Sequence, residues 1–177
     1  MCSSLPWRAL RTCSLLCAVF AAAPGAAQGV PEHDLKAAFV FNFAVFTEWP
    51  QDVLTHGAPI NLCASGSSPL YGALLRLQDK VVNGHRIALR PPSAAPRACH
   101  VLVLERADRE RWQQLKRELA GAAVLTVSDD HAIGGDGAVI ALSAEDRRIG
   151  FDVDMQAART ARLNLSSKLL RLARSVQ

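Results

Sequence analysis

CHVLVLERADRERWQQLKRELAGAAVLTVS, residues Cys99 to Ser128, decides the fold of this chain. Val101 to Leu104 reads as a buried strand, a short continuous apolar run. Asp108 then stands where a helix N-cap is wanted, and Trp112, Leu115 and Leu119 recur at helical spacing over Arg109 to Ala120. Ala123 to Ser128 is a second apolar strand. A strand, a helix and a strand in succession are the repeating unit of a parallel sheet.

Upstream, Asp34 to Trp49 is expected to be a helix capped by Asp34 and ended by Pro50, with Leu35, Ala38, Phe39, Asn42, Phe43 and Phe46 on one broad face. Asn42 on that apolar face needs a hydrogen-bond partner, which a neighbouring loop would supply. Ile60 to Ala64 reads as a strand. After SGSSP, Ser68 can cap a helix that begins at Pro69 and runs to about Asp79. Asn83-Gly84 marks a turn before a short strand at Ile87 to Arg90. Downstream, DDHAIGGDG reads as a loop, and Ala138 to Leu142 with Arg148 to Val153 form a hairpin around AEDR. Met155 to about Arg174 reads as helical, with a break near Leu163 to Ser166. The expected architecture is an α/β single-domain layered sandwich: a mostly parallel sheet with an antiparallel edge and helices on both faces.

The chain has 177 residues, half of them apolar and 20% charged, which excludes a disordered, collagen-like or rod-shaped protein and allows one domain. Its formal charge is +4. Arg8 and Arg11 lie in a leader, and without them 18 cationic residues face 16 acidic ones, a balance of +2. That is too little to argue a polyanion, and the aromatics are mostly Phe within apolar runs, so no nucleic-acid partner is expected.

The leader is read from TCSLLCAVFAAA, residues Thr12 to Ala23, preceded by the two arginines and followed by Pro24 and Gly25. Gly25 and Ala27 occupy the small-residue positions of a signal-peptidase site, so residues 1–27 are expected to be removed and 28–33 to form a short disordered lead to a domain at 34–174. A retained anchor is opposed by Pro24 and Gly25, and a lipoprotein through Cys17 by Leu16. The processed chain would not span a membrane. Export leaves Cys63 and Cys99, each at the edge of an expected strand. A bridge between them would close a loop of about 36 residues, for which chain entropy gives about 4 kcal/mol. A staple, a switchable redox pair and two free thiols all fit two cysteines, and the absence of CxxC weakens an oxidoreductase reading.

Catalytic spacing is missing. His33, His56, His85, His100 and His131 form no HxH or HExxH set, so no metal or other cofactor is expected. Ser65-Gly66-Ser67-Ser68 is not a nucleophile elbow; Ser67 and Ser68 could present a helix N-terminus to an anion, which makes a periplasmic small-molecule binder the alternative function. Asp152 and Asp154 share one face of a strand, but a carboxylate pair works as acid and base only in unlike environments. The leucine-rich C-terminal segment, with Leu163, Leu165, Leu169 and Leu172 among cationic residues, is a candidate partner or dimer surface.

DLKAAFVFNFAVFTEWP, CHVLVL, VLTVSDDHAIGGDGAVIAL and IGFDVDMQAARTARLNLSSKLLRLAR, taken together and in order, resemble the YfiR family of periplasmic proteins over Asp34 to Arg174. Phe41 and Val45 stand where the family often has Tyr and Lys, Asp154 where Asn is usual, and Thr160-Ala161 where Ala-Gly is common. The resemblance implies a periplasmic, non-enzymatic regulator. It would bind the periplasmic part of an inner-membrane sensor, typically a diguanylate cyclase, and repress cyclic-di-GMP synthesis in response to envelope or redox stress. It further implies a homodimer, a histidine kinase or other sensor as a possible target, and a role for a Cys63–Cys99 bridge in keeping the repressor folded.

Overall fold

A computed structural model describes residues 30–67, 69–91, 95–145 and 148–177. The strand, helix, strand unit forms as its sequence requires: β5 (Val101–Leu104), α3 (Arg109–Glu118) and β6 (Leu125–Ser128). Alternate side chains of a strand point to opposite faces, and β5 uses both. Val101 and Val103 enter one core with Leu125 and Val127, while Leu102 and Leu104 enter a second with Trp112 and Leu115 of α3. Apolar residues at every position are what a sheet covered on both sides demands.

The other strands are β1 (Thr47–Glu48), β2 (Ile60–Cys63), β3 (Val81–Val82), β4 (His85–Arg90), β7 (Ile140–Glu145), β8 (Arg148–Val153), β9 (Asn164–Leu165) and β10 (Ser175–Val176). Eight of them form one sheet in the order β10-β8-β7-β6-β5-β2-β4-β3. Pairing is parallel except between β7 and β8 and between β3 and β4. The first core is roofed by α1 (Glu32–Val45), α2 (Pro69–Leu74), α5 (Met155–Thr160) and α6 (Ser167–Leu170), through residues such as Phe43, Leu70, Ala158 and Leu169. The second is roofed by α3 and by α4 (His131–Gly134). Phe43 is fully buried, with ring centroids 5.9 Å from Phe39 and 5.0 Å from Phe151.

Four expectations are corrected. The first helix begins at Glu32 and ends at Val45, not Trp49, because Thr47–Glu48 pairs antiparallel with Asn164–Leu165. Asn42 lies on the exposed side of α1, and its side chain donates to the Ala38 carbonyl one turn earlier instead of to a loop. DDHAIGGDG is not all loop: Asp130 caps α4 by accepting from the Ala132 and Ile133 amides. The C-terminal segment does break near Leu163 to Ser166, but what flanks the break is two short helices, with a strand between them and a strand after in place of a helix to Arg174. Its first part stops where Arg162 takes a left-handed conformation (φ 54°), with the Leu163 amide donating to the Ala158 carbonyl and that of Arg162 to Arg159. Such a pair of backward bonds terminates a helix by satisfying its last carbonyls.

α4 sits so close to the sheet that a β-carbon on Gly134 would lie 2.7 Å from Cβ of Ala141. Gly134→Ala is expected to cost about 1–3 kcal/mol through overpacking, and Ala141→Gly in the same molecule to recover part of it. Urea unfolding of the two single variants and the double variant checks this.

Candidate functional site

Cys63 ends β2 and Cys99 precedes β5, and the structure joins them, with Cα atoms 5.8 Å apart. Each cysteine is 2% exposed, and the bridge packs among Leu102, Leu104, Trp112 and Leu115 in the second core. A reductant reaches such a bridge only when the core opens.

His100, next to the bridge, joins four parts of the fold. Its Nδ1 accepts from the Asn61 amide of β2 at 2.9 Å, and its Nε2–H donates to the Val53 carbonyl at 3.4 Å. Its carbonyl accepts from the Trp49 indole at 3.2 Å and from the Leu125 amide of β6 at 2.9 Å. Burial pushes the imidazole below its ordinary value, a backbone hydrogen bond to Val53 opposing that and the charge of His85 adding to it.

At the carboxyl ends of β5 and β6 the acids serve the fold. Asp130 is buried, capping α4 while forming an ion pair with Arg109 at 2.5 Å. The Arg109 guanidinium is the main reason its carboxyl lies below the usual range. Asp129 receives the Lys36 ammonium at 2.8 Å, and Glu32 receives it at 2.6 Å. Burial alone would lower the Lys36 ammonium, but its bonds to both carboxylates together raise it. Lys36 therefore ties α1 across the first core to the loop after β6.

The expected carboxylate pair is not a site. Asp152 is held by Arg174 at 2.7 Å, which with Ser175 lowers its carboxyl, and Asp154 caps α5 through the Ala157 amide. Ser65 and Ser67 hydrogen-bond each other at 3.1 Å; Ser68 lies outside the described residues, and α2 is only six residues long. The expected leucine surface is largely corrected: Leu163, Leu165 and Leu169 are buried in the first core, because the chain folds back as β9 and α6 and turns them inward. Leu172 is 67% exposed. An open groove of about 680 Å³ lies between α3 and α5, floored by Val124, Thr126 and Val139. Among the described residues no three His, Cys, Asp or Glu side chains converge as a metal site, and no helix is long and apolar enough to cross a membrane.

A family model described as YfiR/HmsC-like matches residues 33–174. The chain belongs to the YfiR/HmsC-like family. That is a family of periplasmic regulators of cyclic-di-GMP signalling, regulatory instead of enzymatic. Among solved structures, this YfiR/HmsC-like chain is similar to a conserved domain protein from Vibrio cholerae O1 biovar El Tor, with a TM-score of 0.55 at 8% identity. The match covers 84% of this chain and 61% of that protein, and the likeness is one of fold.

Sequence reasoning placed both bridge cysteines, but missed Lys36, His100 and Asp130. Nothing local to Lys36 announces Asp129, 93 residues away, and nothing local to His100 announces Asn61 or Val53. Asp130 before His131-Ala132-Ile133 did carry a cap signal, hidden by the glycines that follow it.

Two outcomes are expected. Millimolar dithiothreitol should leave the bridge of the native protein intact and reduce it promptly in denaturant, as thiol labelling and mass spectrometry would read. Asp130→Ala should cost about 1–2 kcal/mol at neutral pH. Because the native carboxyl lies below its unfolded value, that stabilisation is present above about pH 4 and lost as pH falls through the native value, so wild type and variant should converge in acid.

Proposed function

We propose that this chain is exported by cleavage after Ala27 and binds the periplasmic domain of an inner-membrane sensor, a diguanylate cyclase above all, holding it inactive. The observation that carries this reading is the family match, which takes in nearly every described residue. The bridge supports it: a cross-link in the core belongs to an oxidising compartment, and closing a loop across 36 residues is worth about 4 kcal/mol to the folded state. In this reading the bridge is a staple. Repression across a membrane requires that the regulator bind the sensor's inactive arrangement more tightly than its active one. Leu172, exposed beside Arg171, is the part of the candidate leucine surface still free to meet a partner or a second copy of the chain.

Deleting the gene is expected to raise cellular cyclic-di-GMP, and the wild-type chain supplied in trans to restore it. Leu172→Glu should fold with unchanged melting temperature yet fail to restore repression or to co-purify the sensor. Cys63→Ser should release signalling; unchanged cyclic-di-GMP at normal protein abundance would count against the staple. An unaltered cyclic-di-GMP level on deletion would overturn the repressor reading itself.

The groove between α3 and α5 favours a second reading, a periplasmic small-molecule binder, since its volume suits a compact ligand. A ligand-dependent rise in melting temperature would distinguish it.

A further inference from the structure

Two histidines hold one segment of chain by its carbonyls. Between β1 and β2, residues 49–58 cross the amino-terminal side of the sheet. The His100 Nε2–H donates to Val53 there, and His85 Nδ1 lies 2.7 Å from the Ala58 carbonyl. The Trp49 indole, edge-on to the His100 ring at 6.2 Å, closes the same seam by donating to the His100 carbonyl.

The two imidazoles are held differently: His85 uses Nδ1 in its bond to Ala58, whereas both ring nitrogens of His100 are engaged. His100 cannot be charged without loss, because its Nδ1 accepts from the Asn61 amide. A proton on that nitrogen sets donor against donor at 2.9 Å inside a site where His100 is 8% exposed.

We propose that His100 is an acid-sensitive latch: its protonation breaks the Asn61 bond, turns the ring, and frees residues 49–58 while the adjacent Cys63–Cys99 bridge keeps β2 and β5 together. The groups around the ring leave it without a counter-charge. His85 of β4 opposes a charge on the ring, and Arg90 of β4 reaches Asn61 Oδ1 at 2.8 Å. On the segment itself, Asp52 is exposed and paired with Arg162, His56 is exposed, and Glu48 just before it accepts from Asn164. β6 offers only the Leu125 amide, which meets the carbonyl of His100. Burial, which holds the imidazole low, agrees with this arrangement.

Since the native imidazole lies below its unfolded value of about 6.5, the latch is fully closed above that pH and weakens as pH falls beneath it. An envelope protein meets such a change when the medium acidifies. Freed, the segment would remove one wall of the 520 Å³ groove lined by Trp49, Gln51, Leu54, His56 and His85, altering the surface there without unfolding the domain.

Amide hydrogen exchange of the oxidised mature protein between pH 7.5 and 5 tests this. Relative to intrinsic exchange, protection of amides 49–58 and of Asn61 should fall about tenfold per pH unit below 6.5, down to the native imidazole value. Protection of β5 and β6 should hold. His100→Gln should abolish the slope, and His85→Gln should retain it. An unchanged protection of the segment, or the same slope in His100→Gln, overturns the latch. Nitrogen-15 spectra of the wild-type imidazoles decide even if a variant fails to fold: a neutral His100 with its proton on Nε2 at pH 7 is expected, and a charged ring or an Nδ1–H form refutes it.

Discussion

The strand order reverses between β2 and β5, and the whole sheet depends on those two strands staying side by side. From β2 the chain builds outward to β4 on one side; from β5 it builds outward through β6 to β7 on the other. Their direct ladder is short, Leu62 opposite Val101 and Cys63 opposite Leu102. It is reinforced by the Cys63–Cys99 bridge, by the amide of His100 donating to the Asn61 carbonyl at 2.8 Å and by the amide of Asn61 donating to the His100 ring. Ladder, covalent bond and imidazole lie at one seam, so the half-sheets cannot separate while it holds.

From that seam the rest follows by packing. A sheet with apolar residues at each position of its inner strands must be covered twice, and the two cores are different in kind. The first is aliphatic and aromatic, organised by the Phe39, Phe43 and Phe151 rings, and is closed by Lys36 reaching over to Asp129. The second is smaller and holds the bridge under Trp112 and Leu115. Acids that might have formed a reaction centre are spent on caps and ion pairs, at Asp108, Asp130, Asp152 and Asp154.

Much of the fold was legible because local signals agreed with the tertiary result. Asn83-Gly84 has positive φ at both residues, the geometry of a tight hairpin turn that the dipeptide announces. The hairpin of β7 and β8 and the unit around α3 appear as their patterns require, although β7 starts at Ile140 and runs on through Glu145 into the expected turn. The C-terminal third was misread because leucines spaced along a cationic stretch satisfy a helical pattern and a folded-back one alike. The choice fell to β1: Thr47–Glu48 offers a partner to Asn164–Leu165, and pairing there buries Leu163, Leu165 and Leu169 more completely than a single surface helix would.

The amino-acid sequence by itself determined the sheet's inner strands, the two cysteines available for bridging and the family to which the chain belongs, since each rests on residue types within one short window or on the order of such windows. Tertiary structure alone decided what His100, Lys36 and Asp152 do. Their partners lie 39, 93 and 22 residues away, and a side chain's solvation and hydrogen bonds are set by neighbours in space, whose identity no local pattern encodes.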